Sequence, residues 1–231
     1  MPRSRTQTRS RRAKAPPSRV SPSLERRERE KAETRALILA AARAMFTRDG
    51  YERTTMRGIA NRIGYTATTI YHHFADKDAL MLELCAMDFR ALHTALTSVS
   101  QVSDPVERIR LMGLGYVRFA LENTEQFRFM FLTERPLPNQ DDLARLKDPG
   151  DDAFLALRNA VSEAIEGGRF RPEYRDPDLV AQMLWAAVHG IATIHVAMPP
   201  EKKTYLNLTS PEVTVAATCA AMMRGLVRDP A

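Results

Sequence analysis

Between Thr54 and Asp76 the chain places two short apolar-faced helices in succession with almost no connecting segment, which few folds accommodate. Thr54-Thr55 offer an N-cap, Met56, Ile59, Ala60 and Ile63 form the apolar face of one helix, and Gly64 ends it. Thr66 caps a second short helix that turns Ile70 and Phe74 inward, and Asp76 caps the next. Ala60, Gly64 and Ile70 thus stand at the spacing of a helix-turn-helix. Ala60 is small where two helices cross, Gly64 takes a turn position where a Cβ would be strained, and Ile70 packs the second helix on the first.

The helical period governs the rest of the chain. A helix from Leu24 carries Leu37, Ala40, Ala41, Ala44 and Met45 as a stripe and stops at Asp49-Gly50. After Asp76 the stripe is Leu80, Leu84, Met87, Ala91 and Ala95. Further helices are predicted from Asp104-Pro105 through Glu122, across 125–132, from Phe154 to Gly167-Gly168, over 177–198 and over 211–228. No strand-like alternation of useful length and no internal repeat occurs, so the expected fold is all-α. A Pro- and Asp-rich loop is expected at 133–152, and residues 1–23 read as a basic tail, disordered when free. The expected domains are that tail, a helix-turn-helix domain over 24–75, and a larger helical domain over 76–231.

Charge separates the two helical parts. Lys and Arg number 17 against 6 acidic residues through Phe74, then 17 against 22 from Ala75 onward, giving +6 overall. A basic first third suits a polyanion, with nucleic acid ahead of a membrane surface. Cys85 and Cys219, 134 residues apart, exclude a disulfide scaffold or a Cys-rich zinc site and suggest a reducing compartment. No secretory apolar region is read in the first 23 residues. Leu179 to Met198 lacks charge and is long enough to span a bilayer, but Asp176-Pro177 and Pro199-Pro200 bound it as they would a soluble helix, so no membrane partner is expected. Such a helix, apolar all round, needs its own core on one face and a second partner on the other.

The stretch Thr34 to Leu84, with its core TMRGIANRIGYTATTIYHHFADKDAL, resembles the DNA-binding domain of TetR-family transcriptional regulators. The distinctive part is Ile70, Tyr71, His73 and Phe74 followed by Asp76, Lys77 and Leu80. Downstream, Gly115 to Phe131 and LWAAVHG (Leu184 to Gly190) are similar to the family's C-terminal variant with a Trp-His-Gly signature. The resemblance implies a nine-helix, cytoplasmic homodimer that binds a double-stranded DNA operator, usually as a repressor released by a small-molecule effector. It implies no cofactor. The last two helices, 177–198 and 211–228, would pair across the two-fold axis. Thr66, Ala67, Thr68 and His72 would face base edges, and Thr55, Thr69, Tyr71, His73 and Lys77 would contact phosphates. The chemistry is sound on its own terms: hydroxyls and imidazole bond phosphate or base edges, and the Ala67 and Thr68 methyls can meet a thymine methyl. With no Arg or Asn in the second short helix, specificity would lean on DNA shape and on Arg57 or the tail.

An effector, by its nature apolar or aromatic, would lie among Phe89, Tyr116, Phe119, Met130, Phe131 and Trp185, with His189 the nearest polar partner. The same residues at helical spacing also fit plain core, and His189 a hydrogen-bonded buried imidazole. His72 and His73, about 100° apart on a helix, do not form a metal site. No nucleophile-elbow, phosphate-loop, zincin or dinucleotide fingerprint argues for an enzyme. The alternatives are a non-specific nucleic-acid-binding protein, which leaves the helix-turn-helix spacing without a purpose, and an all-α enzyme with an unrecognised site.

Overall fold

The computed structural model describes residues 22–134 and 152–228, so most of the basic tail and of the 133–152 loop lie outside the described residues. The chain divides into two compact units, residues 1–36 and 37–231. Helix α1 (Pro22–Asp49) begins in the first of these. There the charged residues from Glu25 to Glu33 are exposed, and Arg26 pairs with Glu30 one turn on at 3.5 Å.

Within the second unit α1 buries Ile38, Leu39, Ala41, Ala42 and Phe46, whereas Leu37 is half exposed. The expected stripe was therefore rotated by about one residue. Leu37 to Met45 is apolar over most of its circumference apart from Arg43, and packing rather than period selects the face. Helices α2 (Met56–Arg62) and α3 (Ala67–Tyr71) follow as expected. Ala60 and Ile70 are fully buried, Gly64 has φ +73°, and the Tyr65 N–H closes the turn on the Ala60 carbonyl at 3.0 Å. Asp76 caps α4 (Lys77–Thr97) by accepting from the Ala79 N–H at 2.7 Å.

Helix α5 (Pro105–Glu122) is the centre of the larger part and packs against α4, α7 (Ala153–Glu166), α8 (Pro177–Ala197) and α10 (Pro211–Leu226). Gly113 permits the closest of these approaches, because a Cβ there would stand 3.0 Å from Cys219 Sγ and 3.4 Å from Val188 Cγ1. Between α5 and α7, α6 (Thr124–Phe127) runs directly into a single π-turn, Arg128–Leu132. The short α9 (Pro200–Tyr205) starts where Pro199 and Pro200 set the first turn. It makes ten helices among the described residues, one more than the nine expected, and no extended strand is among them. Phe170 and Val227 form an isolated bridge that ties the end of α10 to the chain after α7.

Two apolar cores result. One joins α1, α2, α3 and the first half of α4 around Phe46, Ile59, Ile70 and Leu80, and it also takes in Phe129 from the π-turn. The other fills the space between α4, α5, α7, α8 and α10. Helix α8 is long and apolar enough to cross a bilayer, but here Val180, Leu184, Val188 and Ile191 are buried in that second core.

Candidate DNA-reading face and ligand cavity

The turn between α2 and α3 sets one polar surface. Thr55 caps α2, accepting from the Gly58 N–H at 3.0 Å, while neighbouring Thr54 is buried and bonds back to the Gly50 carbonyl. Thr66 caps α3 by accepting from the Thr69 N–H at 3.3 Å, and the two hydroxyls lie 3.0 Å apart. With Ile70 fully buried, the opposite side of α3 faces solvent: Thr66, Thr68, Tyr71 and His72 are exposed, as are Thr55 and Arg57. Ala67, Thr69, His73 and Lys77 are half-buried beside them. Lys77 donates from Nζ to the Tyr51 carbonyl at 2.9 Å and lies over the Tyr51 ring at 4.0 Å, which leaves two of its three N–H groups for another acceptor. The expected DNA-contacting residues of α2, α3 and the start of α4 are thus all exposed or half-buried. Sequence reasoning passed over Tyr65, exposed at the turn just before the α3 cap, although an aromatic next to a turn glycine was a readable signal.

The second feature is a cavity of about 670 Å³, open to solvent on one side and lined by α4, α5, α7, α8 and α10. Four of the residues named from the sequence, Phe89, Tyr116, Phe131 and Trp185, are on its wall. Phe119 and Met130 are core residues outside its lining, and His189 stands one layer behind, with Nδ1 sharing a hydrogen with the Tyr116 hydroxyl at 2.7 Å. Burial holds the His189 imidazole below the usual histidine range. Burial also raises the Tyr116 phenol, and Trp185 works against that rise. Phe127, Phe131 and Trp185 ring the imidazole with centroids 4.9 to 5.6 Å away. Much of the wall was not foreseen: Leu92 and Leu96 of α4, Phe154 and Leu157 of α7, and Met222 and Met223 of α10. The adjacent methionines were the available signal, since flexible thioethers suit an adaptable wall.

The segment from α6 through the π-turn reaches both apolar cores: Phe127 and Met130 enter the second, Phe129 the first, and Phe131 the cavity wall. Phe129 is fully buried and stacks on Phe46 of α1 at 6.1 Å. Gln126 donates from Nε2 to Asp88 Oδ1 at 3.1 Å, and the fully buried Asp88 holds Arg43 of α1 through both carboxylate oxygens, at 2.5 and 3.2 Å.

Comparison with known proteins follows this division. Residues 38–84 match the family described as bacterial regulatory proteins of the tetR family, and residues 109–204 match a tetracyclin repressor-like C-terminal domain. The HTH-type transcriptional repressor KstR2 of Mycobacterium tuberculosis is 30% identical over 161 residues, spanning 67% of this chain and 79% of that protein. Among solved structures, the transcriptional regulator PfmR from Thermus thermophilus superposes with a TM-score of 0.66 at 24% identity, covering 83% of this chain and 99% of its own. The SmeT–triclosan complex superposes with a TM-score of 0.63 at 25% identity, covering 85% and 93%.

Proposed function

Because the chain belongs to the tetR family of bacterial regulatory proteins and is a DNA-binding transcriptional regulator, we propose that it is a repressor that a small apolar molecule in the α4–α10 cavity releases from its operator. One observation carries this reading: a single short segment puts Phe129 into the core of the DNA-reading motif and Phe131 onto the cavity wall. A ligand that moves Phe131 acts on the same five-residue turn that fixes Phe129 against α1. The π-turn makes this segment the natural place for the change, since it holds one residue more than an α-helical turn and can give it up. Related proteins support the direction, KstR2 being named a repressor and SmeT having been crystallised with triclosan.

In the working protein, residues 24–75 read the duplex and residues 76–231 bind the effector and a second copy, in the cytoplasm. Thr66, Ala67, Thr68 and His72 face base edges, and Thr55, Thr69, Tyr71, His73 and Lys77 meet phosphates. The second copy docks on α8 and α10. Leu179, Met183 and Ile194 of α8 and Val213 of α10 are exposed, and Ala186, Ala197, Ala217 and Ala221 are exposed beside them. A ligand shifts the equilibrium only by its preference between the two states, so a hundredfold preference for the released state weakens operator binding by about 2.7 kcal/mol.

Selection of duplexes from a random pool by the full chain, followed by salt-controlled competition against unselected DNA, tests the reading. Enrichment of one sequence family, and its release by a compound that quenches Trp185, is the expected result. Equal retention of all duplexes would replace it with non-specific nucleic-acid binding.

A further inference from the structure

We propose that the occupant of this cavity is an uncharged, ring-bearing molecule whose hydrogen-bonding group meets Gln182. The inference rests on the cavity being the effector site and narrows what the site accepts. Among the described lining residues only Arg110 and Asp152 carry formal charge, one of each sign, and each already holds a partner of its own. Arg110 donates from Nε and Nη2 to the two carboxylate oxygens of Glu107, at 2.7 and 2.6 Å. Asp152 accepts from the Phe154 and Leu155 N–H groups at 2.9 and 3.0 Å, capping α7. A ligand carboxylate would therefore share Arg110 with Glu107 and would meet the like charges of Glu107 and Asp152. A ligand ammonium would meet the like charge of Arg110, with only Asp152, an exposed carboxylate already serving the α7 end, to offset it. An ion without a partner is strongly disfavoured against apolar walls.

The other polar groups of the wall are neutral. Gln182, exposed to solvent as well as to the cavity, presents an amide, donor and acceptor together. Cys219 is kept as the thiol, because burial raises it, with Arg110 working the other way. Tyr116 already shares its hydrogen with His189. Gln182 alone offers an uncommitted pair of hydrogen-bonding functions on this wall among the groups described.

The lining selects rings. Helices α4 and α5 line the space from Phe89 to Leu96 and from Ile109 to Tyr116, about two turns or about 10 Å each. Flat rings can meet the aromatic side chains on this wall face to face and edge to face, which an alkyl chain cannot. Phe89, Tyr116, Phe131, Phe154 and Trp185 supply aromatic faces and edges, and Met112, Met222 and Met223 supply adaptable contacts to a ring.

Calorimetric titration of the full chain with four probes of similar carbon count tests this: phenanthren-9-ol, phenanthrene-9-carboxylate, tetradecan-1-ol and tetradecanoate. Phenanthren-9-ol is expected to bind at least tenfold more tightly than each of the others. Gln182→Leu is expected to weaken it several-fold while thermal unfolding stays in place. Glu107→Gln frees Arg110, and is expected to raise the affinity of phenanthrene-9-carboxylate at least tenfold relative to that of the alcohol. Wild-type protein that binds the carboxylate, or either chain compound, as tightly as phenanthren-9-ol overturns the proposal. If none of the four binds, the cavity is not an effector site and the reading beneath the proposal falls with it. Tight binding of phenanthren-9-ol without operator release leaves the ligand class standing and removes the sensor.

Discussion

At the level of single residues the proposed DNA contacts assign affinity and specificity to different side chains. Tyr71 is 55% exposed on α3, and its hydroxyl has no hydrogen-bond partner among the described residues. Tyr71→Ala is expected to weaken binding several-fold and equally on selected and random duplexes, whereas Thr68→Val or His72→Ala is expected to change which sequence is preferred. Competition titrations on both duplexes distinguish these, and unchanged affinity for Tyr71→Ala would remove it from the interface. Lys77 keeps two N–H groups after its bond to the Tyr51 carbonyl, so Lys77→Gln is expected to lower the log–log salt slope by about 0.9, one phosphate contact. His189 adds a pH dependence. Its folded-state pKa lies below that of the unfolded chain, so below the ordinary histidine range the unfolded state binds more protons and stability falls as pH falls. Its contribution is complete above the unfolded pKa and is lost as pH drops through the folded one. Denaturant midpoints of wild type are expected to decline from neutral pH towards pH 5, and of His189→Gln to decline less; parallel curves would show that the imidazole is not held neutral by its surroundings.

Among the elements, the α6 and π-turn segment is where ligand and DNA are to be coupled. Phe129→Ala removes the ring that stacks on Phe46, and a buried aromatic of this kind costs about 3–5 kcal/mol on truncation. The gentler Phe129→Leu keeps the core filled and loses the stack. It is expected to bind ligand as wild type does while operator affinity becomes insensitive to it; release at wild-type ligand concentrations would show that coupling runs elsewhere. Little of this element was legible in the sequence. The run QFRFMF reads as one apolar helix, because the period that places a residue on a face assumes 3.6 residues per turn, and a π-turn shifts every later residue to another face. The same limit appears in α1 and α4. On α4 the expected stripe included Met87, which is 40% exposed, whereas Asp88 beside it is fully buried. A buried carboxylate breaks an apolar pattern and becomes intelligible only once Arg43, 45 residues away in sequence, is found on it. By contrast, the caps at Thr55, Thr66 and Asp76 and the turn at Gly64 were readable, since each depends on its own few neighbours.

For the whole molecule, the open question of packing is what covers the outer side of α8 and α10. Leu179, Met183, Ala186, Gly190, Ile194 and Ala197 recur every three to four residues along α8, and Val213, Ala217, Ala221 and Gly225 do so along α10. Leu179, Ile194 and Val213 are 52%, 45% and 59% exposed, and a Cβ added at Gly190 or Gly225 would meet nothing within 4 Å. One helix of this kind could remain solvated, but two adjacent ones form a continuous apolar surface with small residues through its middle, the pattern that lets two copies approach closely. A two-fold arrangement places each patch on its own copy, so an isologous four-helix contact needs no other partner. Burial of about 800 Å² per copy would be of ordinary size for a stable dimer. Ala217→Arg sets a guanidinium into that contact from both sides at once, with no acidic residue exposed on the same stripe between Val213 and Gly225 to receive it. Sedimentation equilibrium at micromolar concentration is expected to show a dimer for the wild type and a monomer for Ala217→Arg. Thr204→Arg, at an exposed position of α9 away from the stripe residues, is expected to remain dimeric, which separates loss of the interface from a general effect of added charge. The monomer is also expected to lose at least a hundredfold in affinity for a two-half-site operator while keeping its affinity for a single half-site, because one reader alone cannot hold both major grooves. A dimeric Ala217→Arg would place the two-fold contact on another face of the molecule.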